Sequence, residues 1–102
     1  MGQVQRSAEA DDDLDAIGEY IGRQSGSTQT AAKFLAELEL RMESYSRQPL
    51  MGELREDLGP DVRMFAFRKN YIVLYRPLDD GIDVLRVFHA ARDYRRLFHG
   101  GT

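Results

Sequence analysis

The spacing of apolar residues changes once along this chain, and the change divides it in two. Between residues 8 and 47 they return every three or four positions, whereas from 62 to 88 they alternate or run continuously. The first spacing belongs to amphipathic helices and the second to strands. Helices followed by strands imply an α+β fold, with the helices packed on one face of an antiparallel sheet. At 102 residues the chain forms a single domain, residues 1–102, large enough for one modest core.

Ser7 before Ala8, Glu9 and Ala10 is a helix start with serine as the N-cap. Glu9, Asp11, Asp12 and Asp13 fall in its first two turns, where the helix dipole favours anions. Leu14, Ile17, Tyr20 and Ile21 supply its apolar face. Gly26 suits the C-terminal cap, and Ser27 or Thr28 the next N-cap. Ala31, Phe34, Leu35, Leu38, Met42 and Tyr45 form the stripe of a second helix, which Pro49 ends. The connection is short, so the two helices form an antiparallel hairpin. Residues 48–61 read as irregular chain, with Leu50, Met51, Leu54 and Leu58 tucked beneath it.

The strand half opens with Val62 to Phe67, followed by a turn at Arg68-Lys69-Asn70. Tyr71 to Tyr75 is apolar on both faces and reads as a central strand. Asp79-Asp80-Gly81 is a tight turn, and Ile82 to Phe88 a further strand. Residues 3–7 offer a short N-terminal strand in which only Val4 is strongly apolar. Asp93 is placed to cap a last helical turn holding Leu97 and Phe98. One core is expected to gather Ile17, Tyr20, Ile21, Phe34, Leu38, Met42, Ile72, Leu74, Val84 and Val87.

Composition removes several chemistries. With no cysteine there are no disulfides, thiolate nucleophiles or cysteine-held metals. The two histidines, His89 and His99, form no His-x-x-x-His pair, which argues against a catalytic zinc site. No serine sits in a Gly-x-Ser-x-Gly elbow, and no Gly-rich phosphate loop is present. No apolar run reaches the length of a membrane span, and the polar, acidic start is no secretory signal. The expected location is the cytoplasm. The net charge of −3 hides an imbalance: residues 1–60 hold six Lys/Arg against twelve Asp/Glu, and residues 61–102 eight against five. An acidic total argues against wholesale coating of nucleic acid.

The dense polar constellation is Arg86-Val87-Phe88-His89-Ala90-Ala91-Arg92-Asp93-Tyr94-Arg95-Arg96. Alternation puts Arg86 and Phe88 on one sheet face and Val87 and His89 on the other, and Arg63 on a neighbouring strand is placed to approach Arg86. Arg, His and Tyr together suit metal-free phosphodiester cleavage, with one group as base, one as acid and Arg neutralising the phosphorane. The competing reading is structural. Arg86 or Arg92 then pairs with Asp83, Asp93 or the acidic first helix, and His89 caps or packs. Structural ion pairs are common enough that this reading carries the greater weight.

The ordered pieces resemble a known family. They are Ala10 and Asp13-Leu14-Asp15-Ala16-Ile17 with Tyr20-Ile21, then Ala31-Ala32-Lys33-Phe34-Leu35 and Gln48-Pro49-Leu50-Met51-Gly52. Val62-Arg63, Asn70-Tyr71-Ile72-Val73-Leu74-Tyr75-Arg76 and the run from Ile82 to Asp93 follow. Together they resemble the ParE branch of the RelE/ParE superfamily, the toxins of bacterial toxin–antitoxin (plasmid stabilisation) modules. The resemblance implies an N-terminal strand and an antiparallel helical hairpin packed on a curved antiparallel sheet.

What the resemblance implies about function turns on two positions. The ribonuclease branch carries an Arg just after the Tyr of the central strand and a Tyr near the C-terminus. Here those positions hold Ile72 and Phe98. Neither an isoleucine nor a phenylalanine can stabilise a phosphorane or transfer a proton. ParE-like members instead resemble poisons of DNA gyrase, need no cofactor or metal, and are neutralised by a ParD-like antitoxin, with DNA reached only through that antitoxin. On this reading there is no catalytic residue, and Arg63, Arg86, Arg92, Tyr94 and Phe98 are the candidates for contact with target or antitoxin. The alternatives are a ribosome-dependent mRNA endoribonuclease using Arg63, Arg86, His89, Arg92 and Tyr94, and a non-toxic, antitoxin-bound co-repressor.

Overall fold

The computed structural model describes residues 2–93. Strand β1 (Gln3–Arg6) leads through Ser7 into helix α1 (Ala8–Ser25), and α2 (Thr28–Arg47) returns beside it. Four strands follow: β2 (Glu53–Leu54), β3 (Arg63–Phe67), β4 (Tyr71–Leu78) and β5 (Gly81–His89). The helix limits come from local chemistry. The Ser7 hydroxyl accepts from the Ala10 N–H, and the Ser27 hydroxyl from that of Thr30. Gly26 closes α1 at φ 68°, a left-handed conformation that glycine adopts without steric penalty.

The five strands form one sheet in the order β1-β5-β4-β3-β2, with β4 at the centre as expected. The sheet is mixed rather than antiparallel. β1 runs parallel to β5, from Gln3 opposite Gly81 to Arg6 opposite Val84. The α1–α2 hairpin and the strands after it return the chain to the edge where it began, so the first and last strands meet head to head. Gly81 permits that approach, because a Cβ there would lie 1.8 Å from the Gln3 carbonyl oxygen. β2, only two residues long, is a further strand that the apolar pattern does not announce.

Apolar residues divide between two clusters rather than one. On the helix side Ile17, Phe34, Leu38 and Met42 meet Phe65, Phe67, Val73, Tyr75, Val84 and Val87. On the other side Val62, Leu74 and Phe88 gather, with Leu58, Met64, Ile72 and Leu85 against them. Ile72 and Leu74 therefore belong to the second cluster and not to the helix-side core. The cause is the period of two: β4 is apolar at consecutive positions, and consecutive side chains point to opposite faces.

Three of the four leucine-class residues expected beneath the 48–61 segment point outward. Leu50, Met51 and Leu54 are about half exposed or more, while Leu58 packs inward. Polar groups hold the inner side of this loop. The buried Tyr75 hydroxyl donates to the Pro49 carbonyl at 2.7 Å and accepts from the Gly52 N–H at 2.9 Å. Arg63 Nη1 donates to the carbonyls of Leu50 and Gly52 at 3.1 and 2.8 Å. The loop backbone thus faces in and its apolar side chains face out. Gly52 is required here, because a Cβ would come within 2.4 Å of the Tyr75 hydroxyl.

Tyr75→Phe should cost about 1–3 kcal/mol, since it leaves the Gly52 N–H without its acceptor. The pH dependence has a definite sign. Burial pushes the Tyr75 phenol above its ordinary range, against opposing pulls from the Gly52 N–H and the Arg63 charge. A raised phenol stabilises the fold fully below about pH 10 and loses that contribution as pH climbs through the folded-state value. Urea midpoints should therefore show the gap between wild type and Tyr75→Phe narrowing above about pH 10. A gap that widens there would contradict the burial argument.

Candidate functional site

The end of β5 is where the candidate residues collect, and α1 shapes it. β1 stops pairing at Arg6 opposite Val84, which leaves the outer edge of β5 open beyond that point. The first stretch is closed by Ser7, whose N–H donates to the Val84 carbonyl and whose hydroxyl donates to that of Leu85. Asp13 closes the next. Its carboxylate accepts from the Val87 N–H at 2.9 Å and takes Nε and Nη2 of Arg86 at 2.8 and 3.1 Å. One aspartate on α1 thus replaces a missing strand and anchors a two-pronged arginine. Hydrogen bonding to Asp13 raises the already high Arg86 pKa further, so the guanidinium stays charged.

A bulge contributes to this arrangement. Leu74 faces Arg86 and Tyr75 faces Val84, so Leu85 is an extra residue in β5. Strict alternation would pair Arg86 with Phe88. The register beyond the bulge is regular and keeps them on one face, where Phe88 joins the outer cluster and the longer Arg86 side chain reaches Asp13 on α1. Val87 and His89 do lie toward the helix side, Val87 in the core and the His89 ring edge-on to Tyr71 at 5.2 Å.

His89 ends the strand and starts a helix that occupies residues 90–93. Its Nδ1 accepts from the Arg92 N–H at 3.0 Å, and its own N–H donates to Asp93 Oδ2 at 3.0 Å. This is a reciprocal cap. The N-cap of this helix is therefore His89, because the imidazole supplies an acceptor at the first turn and Asp93 reaches back to it; the expected turn holding Leu97 and Phe98 lies outside the described residues. An Nδ1 that accepts carries no proton, which leaves only Nε2 of this ring for other partners.

Between α1 and this end of β5 lies an open cleft of about 460 Å³, lined by Asp13, Ile17, Tyr20, Arg23, Arg86, Val87, Phe88, Arg92 and Asp93 among others. The Arg92 guanidinium sits 4.0 Å from the centre of the Tyr20 ring, a cation–π contact, and lies 3.6 Å from Asp93. Arg23 pairs with Glu19 at 3.6 Å. Arg86 and Arg92 are thus brought to one cleft, whereas His89 does not line it and meets Arg92 only through that residue's backbone N–H. Arg63 is not among them, because the carbonyls of residues 50 and 52 hold it on the far side of β4, where its buried Nε has no partner. Tyr94 and Phe98 lie outside the described residues. Sequence reasoning missed Asp13 and Tyr75. Tyr75 had no signal beyond its strand pattern, and Asp13 is one acid in a run of similar ones.

The cleft offers guanidinium groups and an aromatic face, which suit carboxylates and protein surfaces. Arg does not release its proton, and His89, the one histidine among the described residues, uses Nδ1 as a cap. Among the described residues no group of three acidic or histidine side chains is placed to hold a metal ion. Nor is any helix among them long and apolar enough to cross a membrane.

A two-helix hairpin on one face of a five-stranded mixed sheet, with an arginine-lined cleft at the end of β5, defines a small α+β protein of the toxin type anticipated above. The family described as "ParE toxin of type II toxin-antitoxin system, parDE" matches residues 4–94. The chain belongs to the ParE toxin family. Its fold is similar to that of a solved structure titled "Chromosomal ParDE TA system from P. aeruginosa", with a TM-score of 0.72 and 21% identity over 87% of this chain and 96% of the other. No curated protein matches the chain.

Proposed function

We propose that this chain is the toxin of a type II pair, that it inhibits DNA gyrase in the cytoplasm by protein–protein contact, and that a ParD-like antitoxin neutralises it. Membership of the ParE family supports the toxin role and the kind of partner. The observation that carries the choice of target is the commitment of the nuclease candidates to the fold. Arg63 is bound to loop carbonyls, Arg86 to Asp13, and His89 Nδ1 to the helix it caps. Ile72, where the ribonuclease branch carries an arginine, packs against Leu74 and Phe88 in an apolar cluster. These groups form no acid–base pair around a common point, whereas binding a protein target requires only a complementary surface.

Arg92 is the leading contact residue of the described part, with 37% of its side chain exposed above Tyr20. Tyr94 and Phe98 follow it in the chain and complete the proposed contact segment. The test pairs gyrase supercoiling with cleavage of ribosome-bound mRNA, using the same purified protein. The expected outcome is loss of supercoiling with intact mRNA, and inhibition about tenfold weaker in Arg92→Ala, as for a typical arginine anchor. Site-specific mRNA cleavage with gyrase unaffected would overturn the proposal. Inactivity in both assays would also overturn it and would leave the antitoxin-bound co-repressor.

A further inference from the structure

The cap at His89 fixes more than the helix it starts. The N–H it accepts belongs to Arg92, at 3.0 Å, and the same residue places its guanidinium 4.0 Å from the centre of the Tyr20 ring. Arg92 and Tyr20 both line the cleft between α1 and β5. Arg92 is therefore held twice, its backbone by an imidazole and its side chain by an aromatic face. The His89 ring is itself seated. It stands edge-on to Tyr71 at 5.2 Å, and the next residue, Ala90, donates its N–H to the Asn70 carbonyl at 2.6 Å. Packing thus keeps the ring in place, and protonation is the change left open to it.

Histidine is not among the usual N-caps, which are Ser, Thr, Asp and Asn. Their oxygens accept throughout the neutral range, whereas an imidazole accepts at Nδ1 only while that nitrogen is bare. Between about pH 8 and 5 imidazoles take up a proton. Nδ1 then becomes a donor and two N–H groups face each other across the cap. The surroundings set the pH of this change but not its consequence. β4 presents Tyr71, with Lys33 of α2 and Arg68 of the β3–β4 turn beside it, and α1 brings Tyr20 and Arg23 to the cleft. Within the helix, Asp93 accepts from the His89 N–H and lies 3.6 Å from the Arg92 guanidinium. A cationic ring competes with Arg92 for that carboxylate, which loosens Arg92 further.

We propose that His89 is a pH-sensitive positioning residue for Arg92. Neutral, it caps the helix at 90–93 and keeps the Arg92 guanidinium over Tyr20 at the wall of the cleft. Protonated, it gives up the cap, and the cleft loses that arginine from its fixed place. The residue acts through Arg92 and does not itself line the cleft. Losing one N-cap shifts the balance between the held and released arrangements by about fivefold. The consequence for gyrase rests on the reading of Arg92 as a target contact, whereas the cap and its loss in acid do not.

The test is an NMR titration of the intact protein from pH 8 to pH 5. It follows the His89 ring nitrogens, the Arg92 amide, and the Arg92 side-chain protons that the Tyr20 ring shifts upfield. At pH 8 Nδ1 is expected to be the bare nitrogen. The upfield shift of Arg92 should then fade with the same midpoint as the His89 ring. His89→Asn supplies a cap that does not titrate, so Arg92 should stay over Tyr20 at every pH. His89→Ala should lack the upfield shift throughout. The acid response should persist in His99→Asn, which removes the chain's other imidazole. An Arg92 signal that ignores the His89 titration, an acid response that survives in His89→Asn, or one that vanishes in His99→Asn would each overturn the proposal. Supercoiling is measured separately, comparing wild type with His89→Asn at each pH so that gyrase's own pH dependence cancels. Inhibition should be equal at pH 8 and about fivefold weaker for wild type in acid. Movement of Arg92 without that loss upholds the positioning role and counts against Arg92 as a gyrase contact, so the two failures are distinguishable.

Discussion

Leu38→Ala is expected to lower stability by about 2–5 kcal/mol, a large part of what holds a domain of this size together. Leu38 is fully buried at the middle of α2, in the cluster that joins both helices to β3, β4 and β5. Truncation removes contacts on every side and leaves a cavity that backbone at the centre of a helix cannot collapse to fill. Each kcal/mol corresponds to roughly 4–8 °C in a chain this short, so the melting temperature should fall by about 10 °C or more. Leu40, two residues on, is 62% exposed, and Leu40→Ala should change stability by no more than about 0.5 kcal/mol. Thermal melts of the two variants side by side test the orientation of α2. Similar losses in both would mean that the helix does not present this face to the sheet.

Asp13→Ala should cost about 2–4 kcal/mol, because it strands two donors at once. Arg86 loses both of its bonds to the Asp13 carboxylate, and the Val87 N–H loses the acceptor that stands in for a strand. Asp13 is only 15% exposed on its side chain and Arg86 34%, so water replaces these bonds incompletely. A double-mutant cycle with Arg86→Ala should show a coupling of about 1.5–3 kcal/mol, as for hydrogen bonds to charged groups. Asp13→Asn should fall in between, since the amide oxygen still accepts from Val87 but the charge is gone. Chemical denaturation of the single and double variants gives these values. A coupling near zero would show that the pair lies in solvent and that the end of β5 is held by something else.

The two predictions differ in how far they could be read before the tertiary structure. The burial of Leu38 follows from its place in a stripe with Phe34 and Met42, which any helix at those residues must turn to one side. The pairing of Arg86 with Asp13 does not follow in the same way. The acidic first helix was one of several partners open to Arg86, and the run from Asp11 to Asp15 contains four carboxylates. Only the docking angle of α1 against β5 selects Asp13. A similar limit applied to Leu50, Met51 and Leu54. Apolar type suggested burial, but Tyr75 and Arg63 drew the loop backbone inward and turned those side chains out.

The sequence by itself determined the helices, their caps at Ser7 and Gly26, the central place of β4 and the family. These depend on spacing and on groups a few residues apart, so a linear reading contains them. The tertiary structure alone decided that β1 runs parallel to β5, that β5 carries a bulge at Leu85, that Arg86 pairs with Asp13 on α1, and that Arg63 and His89 are committed to a loop and a helix cap. Each of these joins groups distant along the chain or turns on a single residue of register. Arg86 and Asp13 are 73 positions apart. A charge finds its partner through the approach of two packed elements, and residue type along the chain does not specify that approach.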